Sequence, residues 1–161
     1  MNTLAAIITA TVIFGSRILY LAWRKTRKVM LYPVEAGPLT EAQPDLNRPM
    51  PVCVGNLKMN RSLHYFVVKN DCMIPKEIRP DDIIGVRMFD ENFTVENVEE
   101  GKILLIYLPE KEIYKMRIKG EPAEGNAYNT YYYRNNEKTK SSRPHGADSI
   151  KGVVVEVNHR V

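Results

Sequence analysis

Short apolar runs rich in aromatic and β-branched residues recur along the C-terminal two thirds of the chain, each bounded by turn-forming residues. This alternation predicts strands, because such residues suit a pleated, half-buried surface and Gly, Pro and Asp interrupt it. The predicted strands are residues 65–69, 83–88, 102–108, 112–118, 128–133 and 150–157. The polar stretch 135–147 predicts a loop. Many short strands with frequent turns predict a mainly β domain over residues 63–161, built as a small, mostly antiparallel barrel or sandwich.

The N-terminal segment has a different pattern, with twenty mostly apolar residues from 4 to 23. A helix of this length can cross the hydrocarbon core of a bilayer. Its single charge, Arg17, lies near the end, where Tyr20 and Trp23 supply the aromatic residues typical of an interface. We therefore predict a transmembrane helix in a single-pass anchor spanning residues 1–28, with an amphipathic or buried helix as the alternative. The basic flank of this anchor predicts a cytoplasmic β domain by the positive-inside rule.

Residues 29–62 are predicted to form a proline-rich linker between the anchor and the β domain, because five prolines interrupt any apolar periodicity. This linker contains the sequence Val-Glu-Ala-Gly-Pro-Leu at positions 34–39. The small residues Ala36 and Gly37, in an accessible stretch, form a peptide bond that is easily presented to a protease.

The net charge of +4 is concentrated outside the predicted β domain. Residues 1–28 hold five of the 23 basic residues and no acidic ones, so the rest of the chain has 18 basic against 19 acidic residues. A nearly neutral domain lacks the electrostatic footprint of a nucleic-acid-binding protein. The two cysteines, Cys53 and Cys72, and the three scattered histidines show no metal-type spacing. We therefore expect no nucleic acid partner, no metal and no cofactor.

Cys72 is the residue best placed for chemistry. It follows the predicted strand 65–69 on a turn that ends at Pro75, and a reactive side chain between two strands of a rigid scaffold is a common catalytic arrangement. A thiol needs to lose its proton, and Lys115 on the predicted strand 112–118 is a candidate to accept it. Patterning alone leaves two alternatives open, that Cys72 is a small buried residue and that Lys115 faces solvent.

The residues around Cys72 resemble the active-site region of the LexA/UmuD family of self-cleaving serine peptidases. They also resemble the type I signal peptidases, which share that β fold. In both families a Ser-Met pair is followed by Gly-Asp and an apolar strand, and here Cys72-Met73 and Asp81-Asp82 stand at that spacing.

The second half of the chain resembles these families too. Gly101 and the apolar residues after it look like a Gly-x-Val-Val-Val strand, and fourteen residues later Lys115 stands where the LexA family keeps its lysine base. In the signal-peptidase register, which residues 117–122 and 141–146 support, Met116 takes the place of that lysine. A slip of one residue turns a side chain to the other face of a strand, so Lys115 and Met116 remain alternatives.

The resemblance implies a LexA/signal-peptidase-like β fold and peptide-bond hydrolysis. Cys72 would replace serine as the nucleophile, Lys115 would be the general base, and Met73 and Asp82 would support the turn. A thiol is more acidic than a lysine ammonium, with unperturbed pKa values of about 8.5 and about 10.4, so a Cys-Lys dyad can rest as thiolate and ammonium.

The Ala36-Gly37 pair resembles the self-cleavage site of LexA-like proteins, and Gly37 precedes Cys72 by 35 residues, about the separation in that family. Self-cleavage there would release the β domain from the membrane. The alternatives are a signal-peptidase-like enzyme acting in trans and a catalytically inactive interaction module, the latter because of the Ser-to-Cys change and because Asp81 replaces the turn glycine. The expected partners are the lipid bilayer at residues 4–23, a peptide substrate and a second copy of the chain in a homodimer.

Overall fold

The computed structural model describes residues 28–36, 48–55, 57–71 and 73–159 of the 161-residue chain. Of these residues, 55% lie in strands and 8% in short helical turns, which confirms the prediction of a mainly β fold. The strands are β1 (Lys28–Ala36), β2 (Met50–Cys53), β3 (His64–Val68), β4 (Ile83–Met88), β5 (Ile103–Leu108), β6 (Ile113–Ala123), β7 (Ala127–Arg134), β8 (Glu137–Lys140), β9 (His145–Gly146) and β10 (Ile150–Asn158). The described helical turns are of the 3-10 type and span Ile74–Lys76, Val95–Asn97 and Ala147–Ser149.

The chain divides into two compact units. The first comprises Met1–Met30 and Pro51–Lys58, and its described part contains the first residues of β1 and most of β2. The second comprises Leu31–Met50 and Met59–Val161 and contains the rest of β1 and the strands from β3 to β10. All the residues predicted above to carry or support catalysis belong to the second unit.

In the second unit, β1 closes the sheet into a ring of six strands. The hydrogen-bonded order β3-β4-β10-β5-β6 is antiparallel throughout. β1 lies between the two ends of this series and is parallel to both β3 and β6. β1 changes neighbours at Val34, which pairs with Val68 of β3 and with Tyr114 of β6. The sheet continues from β6 into β7, which pairs with both β8 and β9.

Apolar side chains from the strands of the ring fill its inside. Strand β10 contributes the partly buried Val154 and Val157. The buried members of this core are Val34, Phe66, Val68, Met73, Ile78, Ile84, Val86, Leu105, Met116 and Ile118. Because Val34 is completely buried among them, the side-chain packing of β1 is part of the core.

A second apolar cluster lies on the opposite face of β5 and β6. Side chains alternate across a strand, so Leu104 and Ile106 of β5 belong to this outer cluster while Leu105 faces the inside of the ring. Ile113 of β6 and Tyr128 of β7 also belong to it. The residues of β6 that share a face with Ile113 therefore point away from the inside of the ring.

The six predicted strands correspond to β3, β4, β5, β6, β7 and β10, with small differences at their ends. β6 is longer than predicted, because it continues through the Gly-Glu-Pro sequence at 120–122, where the pairing with β7 shifts register instead of turning. The stretch 135–147 was predicted as a loop, but it contains β8 and β9.

Residues 28–36 form a strand of the ring, although the proline density of 29–62 predicted a linker. The run Val-Met-Leu-Tyr-Pro-Val has the apolar and β-branched content of a strand. Pro33 has no N–H to donate, but it lies within the register that pairs β1 with β3, so one proline does not prevent pairing of the whole strand.

The predicted membrane anchor at residues 4–23 lies outside the described residues. In the part of the chain that the structure describes, no helix is both long and apolar enough to cross a bilayer.

We expect Val34→Ala to lower the free energy of unfolding by roughly 1.5–3 kcal/mol, because it removes two buried methyl groups and leaves a cavity in the ring. Urea denaturation followed by fluorescence measures this change. Val155→Ala is the matched control, since Val155 is 55% exposed and its truncation should cost less than about 0.5 kcal/mol. Equal losses for the two variants would contradict the role of β1 in closing the core.

Candidate functional site

β1 brings the candidate cleavage segment beside the candidate base. Glu35 pairs in register with Lys115, and Ala36 pairs with Met116. The Oε2 atom of Glu35 lies 2.8 Å from the Nζ atom of Lys115. Lys115 is only 2% exposed and Glu35 only 8%. The two side chains form a buried ion pair one residue before the predicted scissile bond, whose other residue, Gly37, lies outside the described residues.

Lys115 and Met116, the two alternatives for the position of the base, lie on opposite faces of β6. Met116 is completely buried inside the ring. Lys115 shares the outer face with Ile113 and lies opposite Ile106 of β5, and both of these belong to the outer cluster. The amine of Lys115 therefore lies on the outer face, where it contacts Glu35, and the thioether of Met116 lies in the core.

The turn after β3 is attached to β1 and to the core on either side of Cys72, which itself lies outside the described residues. The Lys69 N–H donates to the Val34 carbonyl over 3.0 Å, so the chain leaves β3 still bonded to β1. Met73 is fully buried inside the ring, and its carbonyl accepts a hydrogen bond from the Ile78 N–H. Lys69 before Cys72 and Met73 after it are thus held by backbone hydrogen bonds, and Met73 is also held by its packing in the core.

Asp82 holds the other end of this turn. Its buried carboxylate accepts a hydrogen bond from the Arg79 N–H over 2.8 Å, and its Oδ2 atom lies 3.0 Å from Nδ1 of His159. The Asp82 carbonyl accepts the Val68 N–H. Asp81 has a φ of 67°, in the left-handed region that favours glycine, and Asp tolerates this region better than most residues. The turn therefore adopts a left-handed conformation at Asp81 without a glycine.

Three parts of the chain that the sequence singled out separately are neighbours in the structure. The cleavage segment contacts the lysine strand through Glu35 and Lys115. The same segment is bonded to the start of the nucleophile turn through Val34. Val34, Met73 and Met116, one from each part, belong to a single core cluster.

The outer face of β6 carries two more buried cations beyond Lys115. Arg117 is 3% exposed; it donates to the Met116 carbonyl over 2.8 Å, and its guanidinium carbon lies 5.0 Å from the centre of the Tyr132 ring. Lys119 is 6% exposed, and its ammonium lies 4.8 Å from the centre of the Tyr128 ring. Three basic side chains at alternate positions of one strand are thus removed from water on the same face.

The buried ammonium of Lys119 is stabilised by hydrogen bonds to main-chain carbonyl groups. Its Nζ atom donates to the carbonyls of Val95 and Val98, at 2.7 and 2.5 Å, around the 3-10 turn that covers the outer cluster. Burial lowers the pKa of Lys119, and the charges of Glu96 and Glu100 act in the opposite direction. We assign this lysine to the attachment of that 3-10 turn to β6.

His145 lies close to this row of cations. Its pKa is lowered to about 4, chiefly by burial and also by the nearby positive charges of Arg117 and Arg143, while Glu110 acts in the opposite direction. The imidazole is therefore neutral at physiological pH. A neutral imidazole avoids adding another charge beside buried arginine.

Sequence reasoning did not single out Glu35, Lys119 or His145 as site residues. A signal for Glu35 was present, since it is the single charge at the end of an apolar run that precedes Ala36. No comparable signal existed for Lys119, because its partners are main-chain carbonyls of a distant turn. Among residues 28–36, 48–55, 57–71 and 73–159, no cluster of three His, Cys, Asp or Glu residues could hold a metal ion.

We expect Glu35→Gln and Lys115→Met each to lower the free energy of unfolding by about 3–5 kcal/mol, because each leaves an uncompensated buried group. The double variant should recover most of this loss, since it removes both charges. A double-mutant cycle by urea denaturation measures the coupling between the two side chains. Glu99→Gln is the control, because Glu99 pairs with Lys102 at an exposed position and its loss should cost less than about 1 kcal/mol. Additive effects of Glu35→Gln and Lys115→Met would contradict the ion pair.

We expect acid to destabilise the protein partly through His145. Its folded pKa of about 4 lies below the ordinary value of 6.5, so between these values the unfolded chain binds a proton that the folded chain does not. The contribution of His145 is therefore complete above pH 6.5 and is lost as the pH falls toward 4, with a slope of at most about 1.4 kcal/mol per pH unit. Unfolding free energies measured across this range should show a shallower decline in His145→Gln. His64→Gln, which replaces an exposed histidine, is the control and should show the same slope as the parent. If His145→Gln also shows the slope of the parent, His145 is not a source of the pH dependence.

Comparison with models of known protein families finds no match for this chain, and a search of curated proteins finds no relative either. The function is therefore inferred from the residues and geometry of the chain itself.

Proposed function

We propose that this chain is a LexA-like self-processing peptidase that hydrolyses its own bond between Ala36 and Gly37, with Cys72 as the nucleophile and Lys115 as the general base. The observation that supports it best is the position of β1. The strand that ends at the candidate bond lies in register beside the strand that carries the candidate base, and it is hydrogen-bonded to the start of the turn that carries the candidate nucleophile.

The proposed hydrolysis of the peptide bond requires water as its only co-reactant. Lys115 takes the proton of the Cys72 thiol, and the thiolate attacks the carbonyl carbon of Ala36. The bond to the nitrogen of Gly37 breaks, the amine leaves with the proton held by Lys115, and a thioester joins Cys72 to Ala36. Water then hydrolyses the thioester to give the Ala36 carboxylate and restore the thiol. Backbone N–H groups near Cys72 would stabilise the oxyanion that precedes each collapse.

The contact with Glu35 limits this chemistry. A lysine ammonium that donates to a carboxylate has no lone pair with which to accept a proton. Lys115 therefore has to lose this contact, or exchange it for one with Cys72, before it acts as a base. Processing should consequently be slow unless a trigger loosens the end of β1.

The geometry favours the chain's own segment over a peptide acting as substrate in trans. β1 occupies the edges of both β3 and β6, which are the edges that an extended peptide beside Lys115 would need. A signal-peptidase-like activity on other proteins would first require β1 to leave the ring.

A non-catalytic interaction module is the second candidate, and the same ion pair favours it. Lys115 has a complete structural role in binding Glu35, so its presence does not require catalysis. In this case the β domain would act by binding a partner protein, and Cys72 would contribute only to packing.

We expect the full-length chain, incubated from mildly to strongly alkaline pH, to yield a fragment that begins at Gly37, because alkaline conditions raise the fraction of nucleophilic thiolate. Cys72→Ala should abolish this fragment. Intact-mass measurement over time detects it, and Cys53→Ala is the matched control that should retain it. An uncut parent chain at every pH would reject self-cleavage and favour the interaction module.

A further inference from the structure

We infer that β1 stays inserted between β3 and β6 after the bond between Ala36 and Gly37 is cut, so that cleavage nicks the protein without releasing its β domain. That the chain is cut between Ala36 and Gly37 rests on the proposed function, whereas the retention of β1 after a cut there depends only on the fold. The slot between β3 and β6 would thus be a strand-binding site whose ligand is this chain's own residues 31–36. The sequence alone had suggested the opposite outcome, release from the N-terminal segment.

The position of the candidate bond within the fold leads to this inference. The described residues of β1 end at Ala36, so all of them lie on the N-terminal side of the cut. The fragment 1–36 would therefore take with it one strand of a six-stranded ring, and its departure would leave the edges of β3 and β6 unpaired. Exposing these two strand edges is unfavourable, because the backbone N–H and C=O groups of β3 and β6 that were paired with β1 lose their partners.

The contacts that hold β1 do not involve the bond that is cut. Val34 is completely buried in the core of the ring, and its carbonyl accepts the Lys69 N–H over 3.0 Å. Leu31 is 4% exposed. Glu35 binds Lys115 over 2.8 Å on the opposite face. Both faces and both edges of the strand are therefore occupied by partners from the C-terminal fragment.

Hydrolysis itself adds a charge beside the ion pair. The cut converts the Ala36 carbonyl into a carboxylate, at the residue that pairs with Met116 and is adjacent to the ion pair of Glu35 and Lys115. This carboxylate is attracted by the Lys115 cation and repelled by the Glu35 carboxylate, so retention depends on the pairing and packing of β1 and not on the new charge. A retained product also keeps the slot filled, so each molecule would process itself once and would not act on other chains.

The test uses a cut that does not depend on the activity of the protein. The full-length chain carries an N-terminal affinity tag, the change Cys72→Ala to prevent self-cleavage, and a recognition sequence for a site-specific protease inserted between Gly37 and Pro38. After cutting in detergent, the tagged fragment is captured and the C-terminal fragment is measured in the bound and unbound fractions by mass. We expect more than about nine-tenths of the C-terminal fragment to remain bound, including after a high-salt wash, since buried ion pairs are weakly screened.

Two variants test the role assigned to the ion pair. Glu35→Gln should make the C-terminal fragment dissociate at least about tenfold faster than in the parent, which corresponds to about 1.4 kcal/mol. Glu99→Gln, which alters an exposed pair, should leave the dissociation rate unchanged. Near-ultraviolet circular dichroism before cutting shows whether each variant is folded, and Glu35→Asp, which keeps the charge, replaces Glu35→Gln if that variant is not.

The outcomes separate this inference from the proposed function. Appearance of the C-terminal fragment in the unbound fraction as fast as the protease cuts would overturn the retention of β1, whatever the parent chain does to itself. Equal dissociation rates for Glu35→Gln and the parent would overturn the role of Glu35 as a tether. A parent chain that never cleaves itself, together with a bound fragment after the protease cut, would reject the proposed function and leave the strand-binding site intact.

Discussion

The buried contact between Glu35 and Lys115 joins β1 to β6, and the closed ring depends on it together with the packing of Val34. Removing two charges from water is costly, and their mutual attraction offsets that cost only when the geometry is good. At 2.8 Å, with both residues buried, the pair has such geometry. Its main effect is on specificity, because a strand in any other register would leave Lys115 buried without its carboxylate. The ion pair therefore fixes which residue of β1 faces β6.

The outer face of β6 carries three buried cations at alternate positions, and each one has its own polar or aromatic partner. Lys115 uses a carboxylate, Lys119 uses two carbonyls, and Arg117 uses a carbonyl and the face of a tyrosine ring. Each buried cation attaches a different segment to β6, namely β1, the 3-10 turn at Val95–Asn97 and β7. A strand that appears amphipathic by sequence is thus buried on both faces, and its charged residues act as attachment points.

The sequence predicts the strands well, because alternation and turn residues are local signals. It predicts less of the connections, since β1 pairs with β3 across 34 residues and with β6 across 80, and no local pattern reveals either pairing. Proline density indicated an irregular linker at residues 29–62, yet residues 28–36 form a strand, because one proline in a strand that changes neighbours is compatible with pairing. Lys115 was predicted from a spacing in the sequence. Its partner Glu35 was not, because a single glutamate in a linker looks solvent-exposed.

The replacement of serine by cysteine and the presence of Glu35 become consistent under the proposed function. A serine hydroxyl is a weak acid and needs a free lysine amine as its base, whereas the Lys115 amine here is engaged with the Glu35 carboxylate. A thiol ionises nearer neutral pH and is nucleophilic as the thiolate, so it depends less on a strong base beside it. Lys115, once it has exchanged Glu35 for the thiol and taken its proton, can donate that proton to the leaving amine of Gly37. In such a site the same nitrogen holds the substrate strand before the reaction and supplies the proton during it, and cysteine is the nucleophile that makes the two roles compatible.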